Sequence, residues 1–581
     1  MCGIFGYSGT ASAAPVLMEG LKRLEYRGYD SFGIAVLDQD VQVVKHQGKI
    51  SEHAALRRRL KGTIGIGHTR WATHGVPSDR NAHPHTDCAG GIAVVHNGII
   101  ENYAGLRREL EARGHHFRSE TDTEVIPHLI EEHYRGDLTM AVGEVLPLLE
   151  GSYAILALAR GEDRIVAARR SSPLVLGMGD RGYYAASDMT PILEHTQRVA
   201  VLEDGDVATL SRQEIAVKNG GARVDRPFQT IEWTVEEVRK GGFPTFMQKE
   251  IFEQPQVFLD TLQSVRREAG ELPLVLKGVR GMTIVACGTS YNAGLICRYL
   301  VEEVCQIPAR LELASEYKYF TPPLRDLVVG VTQSGETADT LAALKKARMF
   351  NCPTLAVTNV LGSSVTRIAD ATFFMRAGPE ISVAATKSFT AELAVFFHII
   401  DLLSGGALGE SLDRANQAME EALLVDLQPA VQACLDARHM FYVGRGPFYA
   451  LALEGALKMK EISYIHAEGY AAGEIKHGPF ALLTGETPVV AICPPGPAYA
   501  VMLSNCKEMK ARGTPLIGIG EEGDRELGEI ADIMVPLPRS DRIGHIMASA
   551  VILQQLAYLT ASSLGRDVDK PRNLAKSVTV E

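Results

Sequence analysis

The sequence predicts a β-rich N-terminal region followed by two α/β doubly wound domains in tandem. Three observations carry that reading. Up to about residue 225 the chain is a succession of short β-like runs, and beyond about residue 250 apolar strand-like runs alternate with long helical patterns. The C-terminal part also repeats itself at the length of a whole domain.

Taken in order, the β-rich region extends to the stretch around Trp233–Lys240 (WTVEEVRK), which reads as helical and runs into the breaker cluster Gly241-Gly242-Phe243-Pro244. Residues 226–246 are therefore read as a linker after a domain spanning 1–225. Beyond it, strand-like Met282–Ala286 reaches Cys287-Gly288-Thr289-Ser290 and a helical pattern, and Leu327–Val331 reaches Thr332-Gln333-Ser334-Gly335-Glu336-Thr337 and another. A weaker echo follows in Met440–Val443 before Gly444-Arg445-Gly446, and in Pro488–Ile492 before Cys493-Pro494-Pro495-Gly496. From Gly288 to Gly444 is 156 positions (444 − 288), the size of an α/β domain and not of a solenoid repeat. The reading is one domain over 247–410, a second over 411–565 and a polar tail over 566–581.

Composition bounds the function. At 581 residues the chain suggests about four units of domain size. Its 46% apolar and 22% charged residues are those of a protein that buries several cores. A net charge of −11, with no long Lys/Arg tract, gives nucleic acid no basic surface to bind. No run of eighteen apolar residues and no signal-peptide pattern occurs, so neither a membrane partner nor export is expected and the chain reads as cytoplasmic. Nine scattered cysteines without a Cys-x-x-Cys pair argue against a disulfide framework or a zinc site; no metal is expected, and His115 and His116 read as surface residues.

Chemistry begins at Cys2. If Met1 is trimmed, this residue carries both a thiol and an α-amine, whose pKa of about 7.7–8.0 lets it serve as the thiol's own base. The loops at Cys287–Ser290 and Thr332–Thr337 offer backbone N–H groups at helix starts and the hydroxyls of Thr289, Ser290, Thr332, Ser334 and Thr337, which suits a phosphate. The second copy has no such hydroxyls at Cys493-Pro494-Pro495, so one phosphate per chain is expected. Neither loop is a Walker A or a full Gly-x-Gly-x-x-Gly motif, and no cofactor is expected. Glu454, Lys458 and Glu461 share one face of a helix that is apolar on most other sides. A solvated Glu–Lys pair would contribute only ~0.2–0.5 kcal/mol; here the charged stripe reads as functional.

Four further runs join Cys2: Leu24–Ser31 (LEYRGYDS), His68–Gly75 (HTRWATHG), His96–Asn102 (HNGIIEN) and Ser119–Glu124 (SETDTE). With them the N-terminal region resembles the N-terminal-nucleophile (Ntn) glutamine amidotransferases. The resemblance implies an α+β Ntn hydrolase fold, a four-layer αββα sandwich. It implies that Cys2 attacks the glutamine amide, that Asn97 and the Gly98 N–H form the oxyanion hole, that Arg70 and Asp122 hold the α-carboxylate and α-ammonium, and that Trp71, Thr73 and His74 complete the pocket. The tandem domains resemble sugar isomerase (SIS) domains. The acidic loop of a phosphoribosyl-pyrophosphate transferase and the Ser-Gly-Gly loop of an ATP pyrophosphatase are both missing.

Together the parts resemble the glutamine-dependent sugar-phosphate aminotransferases, which implies L-glutamine and fructose 6-phosphate as substrates and a homodimer or higher homo-oligomer in which a neighbour supplies a histidine. The resemblance assigns the proton shuttle between C1 and C2 to Glu461, with Lys458 and Glu454 beside it, and ring opening to His477. It assigns a Schiff base to Lys576, sugar-phosphate contacts to the two loops with Cys287, Gly288, Gln333, Val383, Ala384 and Ala575, and the ammonia route to Trp71, Ala575 and Val578. Without it, the tail around Lys576 reads as frayed. Thr332 and Ala385 stand where the family often has Ser. A sugar-phosphate sensor without turnover is the binding-class alternative, and another ketose phosphate is the alternative acceptor.

Overall fold

The computed structural model describes residues 2–50, 53, 60–72, 74–231, 233, 236–268, 274–319 and 325–578. They form two compact units, Met1–Val238 with Ala575–Glu581, and Arg239–Leu574. Each unit is described by itself.

In the N-terminal unit every strand pairing within the two sheets is antiparallel. The first sheet has eight strands and places Gly3–Gly9 between Ile64–Arg70 and Gly182–Ala186. The second has seven and runs through Asp206–Ser211, Arg164–Arg170, Gly151–Ala159 and Ile92–Ile100. The sheets bury one face against each other: Ile4, Ile66 and Ala35 of the first share a core with Val95, Leu156 and Ile165 of the second. Helix Ala13–Arg23 covers the outer face of the first sheet, its Gly20 lying against the Phe5 ring. Leu110, Ile126, Leu129 and Val142, from three helices, cover the second against Ile92, Val94 and Ile155. The result is the expected αββα sandwich, with the Cys2 strand near the middle of its sheet.

The C-terminal unit holds two five-stranded parallel sheets with one topology. From one edge of the sheet to the other the first runs Ala309–Leu313, Met282–Ala286, Leu327–Val331, Thr354–Thr358, Ala371–Phe374. The second runs His466–Ala471, His439–Gly444, Val489–Ile492, Leu516–Glu521, Ile533–Leu537. Both are the doubly wound order 2-1-3-4-5, and the internal duplication is thus a duplication of fold. In this order ligands bind where the first and third strands part, which is where the Cys287 and Thr332 loops leave their strands. One apolar core joins the two halves through Ile284, Val329, Tyr442, Ile492 and Ile519. Helix Arg542–Ser563 is long and apolar enough to cross a membrane, but 94% of its apolar window is buried here as a core helix.

Two expectations need correction. Glu236–Val238 form turns and not a helix; the stretch is too short to sustain a helix without packing. The start of the tail is pinned and not frayed. Asp569 is buried, accepts the N–H groups of Phe246 and Met247 at 3.0 and 2.9 Å, and so caps helix Phe246–Phe252; its carbonyl accepts the Val383 N–H at 3.0 Å.

Candidate active site

In the N-terminal unit Cys2 precedes its strand by one residue, and the neighbouring strand ends at Arg70, so Trp71 leaves the sheet beside the thiol. Cys2 Sγ accepts the Trp71 N–H at 3.3 Å, and the Trp71 carbonyl lies 3.5 Å from it. Burial pushes this thiol up, while the positive N-terminus, the Trp71 N–H and Arg70 pull it back. Asn97 Nδ2 donates to the Cys2 carbonyl at 3.0 Å, which brings an amide donor to the residue of the nucleophile. Arg27 Nε donates to the same carbonyl at 3.3 Å and is held in turn by Asp188. Gly98 follows with φ +134°, and a Cβ there would fall 2.0 Å from the Ser152 carbonyl oxygen, so only glycine fits.

Arg70 is buried, donates through Nη2 to the carbonyls of His74 and Gly75, and keeps a buried Nη1 with no hydrogen-bond partner among the described residues. Asp122 is buried and accepts the Ile100 N–H at 2.8 Å. His74 packs edge-on against Tyr103 and Trp71 against Tyr29. Thr73 lies outside the described residues.

Sequence reasoning missed what stands behind Asn97. His68 Nε2 lies 3.0 Å from Asn97 Oδ1 and 3.0 Å from the His96 carbonyl. Both are acceptors, so the ring carries its proton on Nε2 and fixes which way the Asn97 amide points. His68 stacks on His83, which meets His85, while His96 sits 2.8 Å from the Thr123 hydroxyl. All four rings are buried, and burial holds each below the ordinary histidine range, His68 at about 3. The unfolded chain protonates these rings near pH 6.5 and the folded chain at lower pH, far lower for His68, His83 and His85. Stability should therefore fall as pH drops below about 6.5, by up to about 1.4 kcal/mol per pH unit and histidine. Thermal melts of the full chain between about pH 7.5 and 5 check this; an unchanged first transition would contradict it.

In the C-terminal unit, helix Pro447–Ser463 presents Glu454, Lys458 and Glu461 to the first sheet's loops. Lys458 Nζ lies 3.4 Å from Glu454 and 2.6 Å from Glu461. Burial opposes its charge, but the carboxylates around it, Glu454 and Glu461 foremost, outweigh burial and raise its pKa; burial also raises Glu454. Side-chain exposure separates the three, at 2% for Glu454, 1% for Lys458 and 21% for Glu461. Of the three, Glu461 alone keeps substantial solvent exposure.

The loop hydroxyls are arranged differently from the expectation. Thr289 donates to Glu454 at 3.0 Å and accepts from Lys458 at 3.0 Å, and Ser290 donates to Glu392 at 2.6 Å. Glu392 and Glu454 are buried and take the nearest donors, so these two hydroxyls tie the Cys287–Ser290 loop to neighbouring helices. Thr332 and Thr337 share a hydrogen bond of 2.8 Å, and Gly335, at φ +69°, turns the loop before helix Ala338–Met349, which keeps the Gln333–Thr337 backbone at a helix start. Val383 and Ala384 are buried beside the pinned tail. His477 is exposed at the end of the turn Glu474–His477, and no hydrogen bond or ion pair joins it to Glu454, Lys458 or Glu461 among the described residues. Ala575, Lys576 and Val578 group with the N-terminal unit. His115, expected at the surface, is largely buried with a side-chain exposure of 11%, whereas His116 is exposed.

Comparison with known proteins gives these parts their class. Residues 68–194 match the glutamine amidotransferase domain, and residues 276–399 and 435–563 each match the SIS domain. The chain is 48% identical to a glutamine–fructose-6-phosphate aminotransferase (isomerizing) of Methanothermobacter thermautotrophicus and 46% identical to one of Thermus thermophilus, each over the whole of both chains. Its C-terminal part is similar to the solved C-terminal domain of glucosamine-fructose-6-phosphate aminotransferase from Francisella tularensis, with a TM-score of 0.53, 35% identity, and coverage of 57% of this chain and all of that one. The fold and sites define a glutamine amidotransferase joined to paired sugar isomerase domains. The chain belongs to the glutamine–fructose-6-phosphate aminotransferase (isomerizing) family.

Proposed function

We propose that this chain transfers the amide nitrogen of L-glutamine to fructose 6-phosphate and isomerises the product to glucosamine 6-phosphate. The observation that carries the reading is the convergence of Trp71, Asn97 and Arg27 on Cys2, in a chain whose full-length relatives bear that name. Cys2 Sγ attacks the side-chain amide carbon, and Asn97 Nδ2 and the Gly98 N–H receive the oxyanion. Ammonia leaves, and water releases glutamate from the thioester. The Arg70 Nη1, without a hydrogen-bond partner among the described residues, suits the substrate carboxylate and Asp122 its ammonium, with Trp71 and His74 around them.

In the sugar half, the phosphate sits on the backbone of Gln333–Thr337 and the Cys287–Ser290 loop, with Val383, Ala384 and Ala575 lining the pocket. Lys576 condenses with the open-chain ketone at C2, ammonia displaces it, and Glu461 moves a proton from C1 to C2 to give the 2-amino aldose. Lys458 and Glu454 position Glu461. His477 opens the ring, and its exposure on its own chain supports supply to a neighbouring copy in a homodimer or larger assembly. Trp71, Ala575 and Val578 guard the ammonia route. The domain limits 1–225, 247–410 and 411–565 and a cytoplasmic location belong to the same reading.

Lys576→Ala should reduce amino-sugar formation by about 100-fold or more while glutamate release persists. Coupled assays of both products check this. Wild-type amino-sugar formation in the variant would remove Lys576 from the mechanism.

A further inference from the structure

Away from Cys2, four side chains of the N-terminal unit converge on one point. Cys88 lies in the turn between His85–Thr86 and Ile92–Ile100, His115 follows helix Tyr103–Ala112, and His128 and Glu131 stand three residues apart on helix Val125–His133. Cys88 Sγ is 3.5 Å from Nδ1 of His115 and 3.5 Å from Nδ1 of His128. The two Nδ1 atoms are 3.2 Å apart, and Glu131 Oε2 is 3.2 Å from the first and 3.5 Å from the second. All four atoms lie within 4.8 Å of one another.

Hydrogen bonds alone account poorly for this arrangement. Nε2 of His115 faces Glu132 Oε1 at 3.5 Å and Nε2 of His128 faces Glu124 Oε1 at 3.9 Å. Ring protons on both Nε2 atoms leave two Nδ1 lone pairs confronting each other and a carboxylate, protons on both Nδ1 atoms set two N–H groups head to head, and one of each lets the rings share a hydrogen bond but leaves one Nε2 lone pair facing Glu132 or Glu124. A cation at the centre removes the conflict. Ligand atoms around a tetrahedral zinc ion, at about 2.0–2.1 Å for nitrogen or oxygen and about 2.3 Å for sulfur, stand roughly 3.3–3.6 Å apart. The five separations here run from 3.2 to 3.5 Å.

We propose that Cys88, His115, His128 and Glu131 hold one divalent transition-metal ion, with zinc the best match to the donor set. On binding, the Cys88 thiol gives its proton to solvent, and thiolate and carboxylate together neutralise the ion. Glu132 and Glu124 stand behind the imidazoles as carboxylates do behind metal-bound histidines. Four protein ligands leave no open position, so the site is structural. It fastens the Cys88 turn and the loop after helix Tyr103–Ala112 to the helix that follows the Asp122 turn.

The test uses the full chain, purified without a histidine tag, loaded with zinc and desalted. It should retain about one zinc per chain, with an absorption-edge spectrum fitting one sulfur at about 2.3 Å and three nitrogen or oxygen neighbours at about 2.0–2.2 Å. Cys88→Ser, and separately His115→Gln at the more accessible imidazole, should each lower retained zinc about tenfold or more. Wild-type retention below about a tenth of an ion per chain, a shell without sulfur, or unchanged retention in both variants would overturn the proposal. If the variants fail to fold, the wild-type stoichiometry and sulfur shell decide it.

Discussion

Cys2→Ala should abolish glutamine-dependent amination, by roughly four orders of magnitude or more, while ketose-to-aldose isomerisation of the sugar phosphate continues. The size follows from the site. The Trp71 backbone, Asn97 and Arg27 all converge on this residue, and the other eight cysteines lie at positions 88 to 506, none in this strand. Oxyanion donors without a nucleophile retain only a small part of the acceleration. The fold should survive, because among the described residues the hydrogen bonds lost with Sγ are the two to the Trp71 backbone, at 3.3 and 3.5 Å. Loss of both half-reactions in a folded variant would contradict the modular assignment.

Glu461→Gln should show the converse. Aldose formation should drop about 10²–10⁴-fold while glutamine hydrolysis stays near wild type. The substitution keeps shape and polarity and leaves Lys458 with Glu454 at 3.4 Å and Thr289 at 3.0 Å, so no buried ammonium is stranded. Removing Glu454 would be a poorer test, since it also accepts from Thr289 and Asn292 and would unbalance the network. A Glu461→Gln variant that isomerises at the wild-type rate would move the proton shuttle elsewhere.

What the sequence revealed follows from the range of the interactions. The helical stripe at 454, 458 and 461 and the strand-to-helix turns after Met282–Ala286 and Leu327–Val331 are local patterns of period and turn chemistry, and these elements stand in the structure where the sequence places them, though not with the first loop's hydroxyls free. The N-terminal sandwich was legible only through resemblance, because alternating short strands do not specify their partners; Gly3–Gly9 pairs with strands some 60 and 180 positions away. The histidines behind Asn97 escaped because His68, His83, His85 and His96 meet only once the sheets are stacked. Thr289 looked free for phosphate because its partner Glu454 lies 165 positions away. At the Cys88 cluster the local signal was the i, i+3 pair of His128 and Glu131 on one helix face; the other two ligands come from separate loops.

The central claim is that one chain moves nitrogen from the amide of glutamine to a sugar phosphate. The direct measurement is mass spectrometry of the products after incubating the Met1-processed protein with fructose 6-phosphate and glutamine labelled with ¹⁵N at the amide. The account predicts labelled glucosamine 6-phosphate appearing with glutamate. Glutamate without a labelled amino sugar would contradict it, leaving the glutaminase standing and the acceptor to be sought among other ketose phosphates.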